Sequence, residues 1–206
     1  QRTIELGKVA VAERNTKIPI EVYTYYQGFL GQEKIANLTD EQSAVKLNPS
    51  ATNSSYFDEV YFAQTAYQFA TGQVGYETTH PPLGKIIQAI PIKLLGRMTP
   101  FTWRIAGVLA GTLIIVAVYG LAKELFKSSV YARVAAILVA LSGLHFTQTR
   151  LGTVDSYLCL FTILAFLFML KYINSDKLRF MIGAGICFGA ACSIKWSGAF
   201  AGIGLL

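Results

Sequence analysis

Trp103–Leu121, Tyr131–Phe146, Ser156–Tyr172 and Phe180–Ile194 are four apolar runs separated by short polar connections, and a fifth begins near Gly198. A helix that crosses a hydrocarbon layer needs about 17 to 25 mostly apolar residues. Backbone groups in that layer must be satisfied within the segment, which favours helices. The first and third runs meet the length. The second and fourth are slightly short, and their small residues would permit the close helix packing that tolerates this. The expectation is a mainly α, polytopic membrane protein, with about four complete transmembrane helices and one truncated helix over residues 101–206.

Charge divides the chain in two. Residues 1–57 carry six Lys/Arg and six Asp/Glu, whereas residues 58–206 carry twelve basic and six acidic groups and so hold the whole formal charge of +6. The basic residues are scattered between apolar runs and form no stripe, which argues against a nucleic-acid partner. Lys123, Lys127 and Arg133 flank one connection, and Lys171, Lys177 and Arg179 flank another. If all four runs span, both connections lie on one side, and their basic excess makes that side cytoplasmic. The opposite ends then collect Asp58, Glu59, His80, Arg104, His145, Arg150, Asp155 and Lys195.

Before the spans the character changes. Ile4–Ala12 and Ile18–Tyr26 are rich in β-branched and aromatic residues, with a period of two at Ile18, Ile20 and Val22. Two strands are too few to stand alone, so residues 1–50 read as the end of a small extracytoplasmic β-rich domain and its linker. Residues 51–100 read as an outer loop with two interfacial helices. In the first, Phe57, Val60, Tyr61, Ala63 and Tyr67 would line one side; in the second, Leu83–Leu95, Lys85 and Lys93 would snorkel. Cys159, Cys187 and Cys192 lie inside apolar runs, as small buried hydrophobes rather than a disulfide frame or metal site. With both ends falling inside patterned sequence, the chain reads as an internal piece of a longer protein.

Ionisable groups near membrane depth are costly and tend to be functional. Asp58 and Glu59 could supply a general base and a partner that orients it, or simply favour the positive end of a helix dipole. His80-Pro81-Pro82 forms a rigid entry into a helix, and His80 and Lys85 could also contact an anionic headgroup. Arg104 follows Trp103, and Lys195 precedes Trp196; each pair fits interfacial anchoring, or an inward-facing cation for a lipid phosphate. Arg150 and Asp155 bracket a short loop where they could form an ion pair. No metal-ligand or glycine-rich nucleotide signature is present, and the sequence implies no cofactor.

Tyr56-Phe57-Asp58-Glu59-Val60-Tyr61, His80-Pro81-Pro82-Leu83-Gly84-Lys85, Gln148-Thr149-Arg150-Leu151-Gly152-Thr153-Val154-Asp155-Ser156 and Ser193-Ile194-Lys195-Trp196-Ser197-Gly198 follow one another in order. Together they resemble the protein O-mannosyltransferases, glycosyltransferase family 39. The resemblance covers residues 56–206, and residues 1–55 resemble the discoidin-like insert of some bacterial members. It implies a GT-C fold that moves mannose from a polyprenyl-phosphate donor to a Ser or Thr hydroxyl of a protein, with inversion, on the extracytoplasmic side of a cell membrane. It further implies Asp58 as catalytic base, Glu59 as its partner in placing the acceptor, and Arg104, Arg150, Asp155 and Lys195 around the lipid phosphate. Competing readings are a transferase of the same fold with another lipid-linked sugar or acceptor, and a polyprenyl-lipid flippase or transporter. The chain shows no internal repeat, and its charges sit at helix ends, both of which weigh against a transporter.

Overall fold

The computed structural model describes Ser50 and residues 55–205. The chain divides into two units, Gln1–Asn53 and Ser54–Leu206. The β-rich segment expected before residue 50 lies outside the described residues, which are mainly helical and contain no strand.

Eight helical elements follow in order among the described residues: α1 (Glu59–Ala70), α2 (Leu83–Leu95), α3 (Pro100–Phe126), α4 (Ser129–Ala140), α5 (Gly143–Gln148), α6 (Asp155–Ser175), α7 (Leu178–Ile194) and a 3-10 helix (Trp196–Gly204). α3 starts on a capping box in which Thr99 and Thr102 satisfy each other's backbone amides, with Pro100 at the first helical position. It buries a stripe of mostly small residues, Gly107, Ala110, Gly111, Ile114 and Ala117. A methyl at Gly111 would come within 2.5 Å of the Thr149 side chain, so glycine here permits the loop before α6 to lie against α3.

α3 and α6 are the two described helices long and apolar enough to cross a membrane; α4 and α7, at 12 and 17 residues, are apolar but shorter. The second apolar run is not one helix. The chain leaves the helix at Leu141, and Ser142 caps α5, its Oγ accepting from the His145 amide at 3.4 Å. A hydroxyl before a glycine restarts the helix in place of continuing it. Val108, Leu109, Leu113 and Val116 on α3, Val134, Ile137 and Leu138 on α4, and Ile182 and Ile186 on α7 all face outward. An apolar exterior of this extent is foreign to a protein surrounded by water and ordinary for one surrounded by lipid.

The two basic connections meet at one end of the bundle, where Asn174 Nδ2 donates to Glu124 Oε2 at 3.2 Å. α1 corrects the expected face. Its buried residues are Glu59, Phe62, Ala63 and Ala66, at helical spacing, together with Thr65, whereas Phe57, Val60, Tyr61 and Tyr67 are exposed. Phe62 joins Ala110, Ile114, Val154, Tyr157, Leu160 and Ile194 in the main core, which ties α1 to α3, α6 and α7.

Candidate functional site

At the end opposite Asn174, the four motifs converge. Gly84 is where their packing is tightest: a methyl there would meet Val154 Cγ1 at 2.8 Å and Ile194 Cγ2 at 3.2 Å. The absence of a side chain lets α2, the loop before α6 and the end of α7 share one point.

Glu59 is fully buried and saturated. Arg104 clamps it through Nε to Oε1 at 2.6 Å and Nη2 to Oε2 at 2.5 Å. The Gly152 amide donates to Oε1 at 2.5 Å, and the Tyr56 amide to Oε2 at 2.6 Å. Burial pushes this carboxyl up, but the hydrogen bonds from Arg104, Gly152 and Tyr56 outweigh it and hold the group below the usual carboxylate range. A methyl on Gly152 would stand 2.6 Å from Trp103 Cδ1 and 3.1 Å from Glu59 Oε1, so glycine is what lets the amide reach.

Asp58 has the opposite surroundings. It occupies the cap position of α1 with no side-chain cap bond, is partly exposed, and its carboxylate has no hydrogen bond or ion pair among the described residues. Its helix-start role is therefore limited to backbone bonding. The residue before it, Phe57, has φ 52, a left-handed conformation that a bulky side chain rarely adopts.

A second charged cluster closes the loop between α1 and α2. Its centre is Glu77, a residue the sequence reading passed over. Lys85 Nζ, only 1 % exposed, donates to Glu77 Oε2 at 2.5 Å, to the Glu77 carbonyl at 2.7 Å and to the His80 carbonyl at 2.8 Å. Both the His80 amide (3.0 Å) and its Nδ1 (3.2 Å) face Glu77 Oε1. The Glu77 amide in turn donates to buried Thr65 on α1 at 2.9 Å. Burial raises the Glu77 pKa, yet Lys85 and His80 together bring it down to about 2. Lys85 thus does not snorkel; its three protons are spent inside the loop. An acid three residues before the His-Pro-Pro helix entry was the available signal for Glu77.

Asp155 opens α6, and its Oδ1 accepts from Lys195 Nζ at 2.8 Å. This pair is open, with the two side chains 48 % and 33 % exposed. Arg150, the alternative partner for Asp155 within the loop, lies over the Phe146 ring at 3.6 Å. Beside the pair is a cavity of about 430 Å³ between α3, α4, α5 and α6. Ile114, Val118, Val139, Leu144 and Ile163 make its walls apolar, and Asp155, His145 and Gln148 add polar groups. Cys159 also lines it and is exposed, and Cys192 is half-buried, so only Cys187 fits the expected buried thiol.

The tryptophans divide. Trp103 is buried, 7 % exposed, between the Glu59 clamp and Ala63, and so is no surface anchor; Trp196 is 72 % exposed. Gly198 does not leave an opening beside Lys195: a methyl there would strike the α7 backbone at Ala191 at 2.6 Å. Gln88 Nε2 donates to the Gly152 carbonyl at 2.7 Å, adding a further buried tie between α2 and the loop that holds Glu59.

Fold and site together define a helical membrane protein with one charged, motif-lined end. Residues 79–206, more than half of the chain, match the dolichyl-phosphate-mannose-protein mannosyltransferase family, and the chain belongs to it. It is similar to the polyprenol-phosphate-mannose--protein mannosyltransferase of Mycolicibacterium smegmatis, at 26% identity over 74% of this chain and 35% of that protein. The enzyme of the same name from Mycobacterium tuberculosis (strain ATCC 25618 / H37Rv) is 26% identical over 70% and 33%. Protein O-mannosyl-transferase 1 of Homo sapiens is 28% identical over 70% and 22%. The chain spans about a third of the length of the bacterial relatives. No solved structure gives a significant match.

Proposed function

We propose that the full-length protein is a multi-pass membrane glycosyltransferase that moves mannose from polyprenyl-phosphate-mannose to Ser or Thr hydroxyls of proteins at the outer membrane face. The names of its relatives support this donor and acceptor. The observation that carries the reading is the contrast between adjacent carboxylates. Glu59 has its oxygens filled by four donors, whereas Asp58 has no partner among the described residues.

A serine hydroxyl is a weak nucleophile at neutral pH and needs a positioned base. Asp58 takes the hydroxyl proton as the oxygen attacks the anomeric carbon and the bond from that carbon to the phosphate oxygen breaks. One displacement inverts the centre. Polyprenyl phosphate leaves as an anion, which a cation in a water-poor site stabilises. Lys195 is suited to this because its one side-chain partner among the described residues, Asp155, is half exposed and exchangeable. The apolar cavity beside Asp155 suits the first units of a prenyl chain. Arg104, Glu59, His80 and Lys85 then act as positioning residues, which hold the α1 start and the loop before α2 through the contacts described above.

The test incubates full-length protein in liposomes with polyprenyl-phosphate-mannose and a Ser/Thr peptide. Mannosyl peptide is the expected product. Movement of intact lipid across the bilayer without transfer would replace this reading with a flippase, and transfer only to a lipid acceptor would change the substrate class.

A further inference from the structure

We propose that Trp196 is the platform on which the hexose of the lipid donor stacks, an inference that rests on Lys195 as the phosphate contact. Trp196 stands 72 % exposed at the start of the 3-10 helix, immediately after Lys195. Its ring is nevertheless fixed. Nε1 donates to the Thr79 carbonyl at 3.0 Å, a contact between segments 117 residues apart that joins the end of α7 to the His80 loop. A tryptophan that serves only to anchor a helix in an interface needs no such bond to a distant loop. Among the described residues, no other ring or cation lies against its face.

The chemistry of the donor fits this position. One oxygen separates the phosphorus from the anomeric carbon, so the hexose begins within a few ångströms of whatever holds the phosphate. Consecutive Cα atoms are about 3.8 Å apart along the chain, so the indole is carried at the backbone position next to that of Lys195. A pyranose presents a face of C–H bonds, and an indole presents a face of negative potential. Asp155 contributes a second recognition group: Oδ1 is taken by Lys195, while Oδ2 has no hydrogen bond among the described residues and can accept from a sugar hydroxyl.

The experiment measures binding of two lipids, polyprenyl phosphate and polyprenyl-phosphate-mannose, to the full-length protein in detergent. Trp196→Leu keeps apolar bulk and loses the ring; it is expected to weaken the mannosyl lipid about fivefold to tenfold and leave the bare lipid unchanged. Trp196→Phe keeps a ring and is expected to lose about threefold or less. Unchanged binding of the bare lipid also reports that each variant is folded. Equal losses for both lipids in both variants, or no loss for either, would overturn the platform and make Trp196 an interface anchor. Lys195→Met distinguishes this from failure of the underlying reading. It is expected to weaken both lipids alike, and indifference of both to Lys195 would remove the phosphate contact and the platform with it.

Discussion

Removing the charge from Asp58 and removing it from Glu59 probe different things, although the two residues are neighbours. Asp58→Asn keeps shape and loses the proton acceptor, so transfer should fall by about 10² to 10⁴ with donor binding and unfolding little changed. Near-normal turnover would return Asp58 to a helix-start role. Glu59→Gln removes the buried carboxylate charge from the clamp with Arg104, and breaking a buried pair costs about 3 to 5 kcal/mol. Its unfolding in detergent should therefore shift well below the parent's, and an unshifted curve would show that the clamp contributes little. The acidic pair was legible in the sequence; the choice of partners was not. Arg104 is 45 residues from Glu59, and Lys195 is 40 from Asp155. Nothing local in a chain states which of several cations a carboxylate will meet.

The loop between α1 and α2 is held by Glu77, and its stability should depend on pH in a definite direction. A carboxyl whose folded pKa is about 2, against 4.5 ordinarily, stabilises the fold fully above about pH 4.5 and loses that contribution as pH falls towards 2. The midpoint of unfolding should drop between pH 5 and 3, and Glu77→Gln should flatten this slope while lowering stability at pH 7. An identical pH profile in the variant would deny Glu77 the role. The neighbouring loop gives a second test, because a methyl at Gly152 collides with Trp103 and Glu59. Gly152→Ala should cost about 1 to 3 kcal/mol by unfolding, and a neutral result would mean the loop has room to retreat. At this scale the sequence misleads about α1 for a physical reason. In a protein surrounded by lipid, outward faces are as apolar as inward ones, so bulky side chains such as Tyr61 and Tyr67 do not mark the core. The small residues Ala63 and Ala66, beside a charge, mark it better.

Across the whole unit, the charge pattern anticipated how the ends sort. The basic connections meet through Glu124 and Asn174, while three of the motifs meet around Gly84 and the fourth joins them through Glu59 and Gly152. That sorting survives the break at Leu141, because the second run still leads from the basic end to the end carrying Arg150. The break itself was hidden, since Ser142 and Gly143 are also compatible with a continuous packed helix. We propose the orientation in the membrane from the basic excess of the two connections, which the positive-inside rule assigns to the cytoplasm. Single cysteines at Lys127 and Lys177 should react with an impermeant reagent from the cytoplasmic side, and those at Asp58 and Arg150 from the other, once Cys159, Cys187 and Cys192 are replaced. Labelling of all four positions from one side would overturn the topology.

Glu59 also constrains the order in which the protein can be made. Its carboxylate is satisfied by Tyr56, Arg104 and Gly152, and Gly152 leaves the ribosome 93 residues later. At about 5 to 20 residues per second, the acid waits roughly 5 to 20 seconds for its last donor. Burying it sooner would leave Oε1 short of a donor, so the start of α1 stays hydrated while α3, α4 and α5 are synthesised. The surroundings of Glu59 thus close only once Gly152 has been made, and a nascent chain halted before Gly152 would still expose Glu59 to solvent.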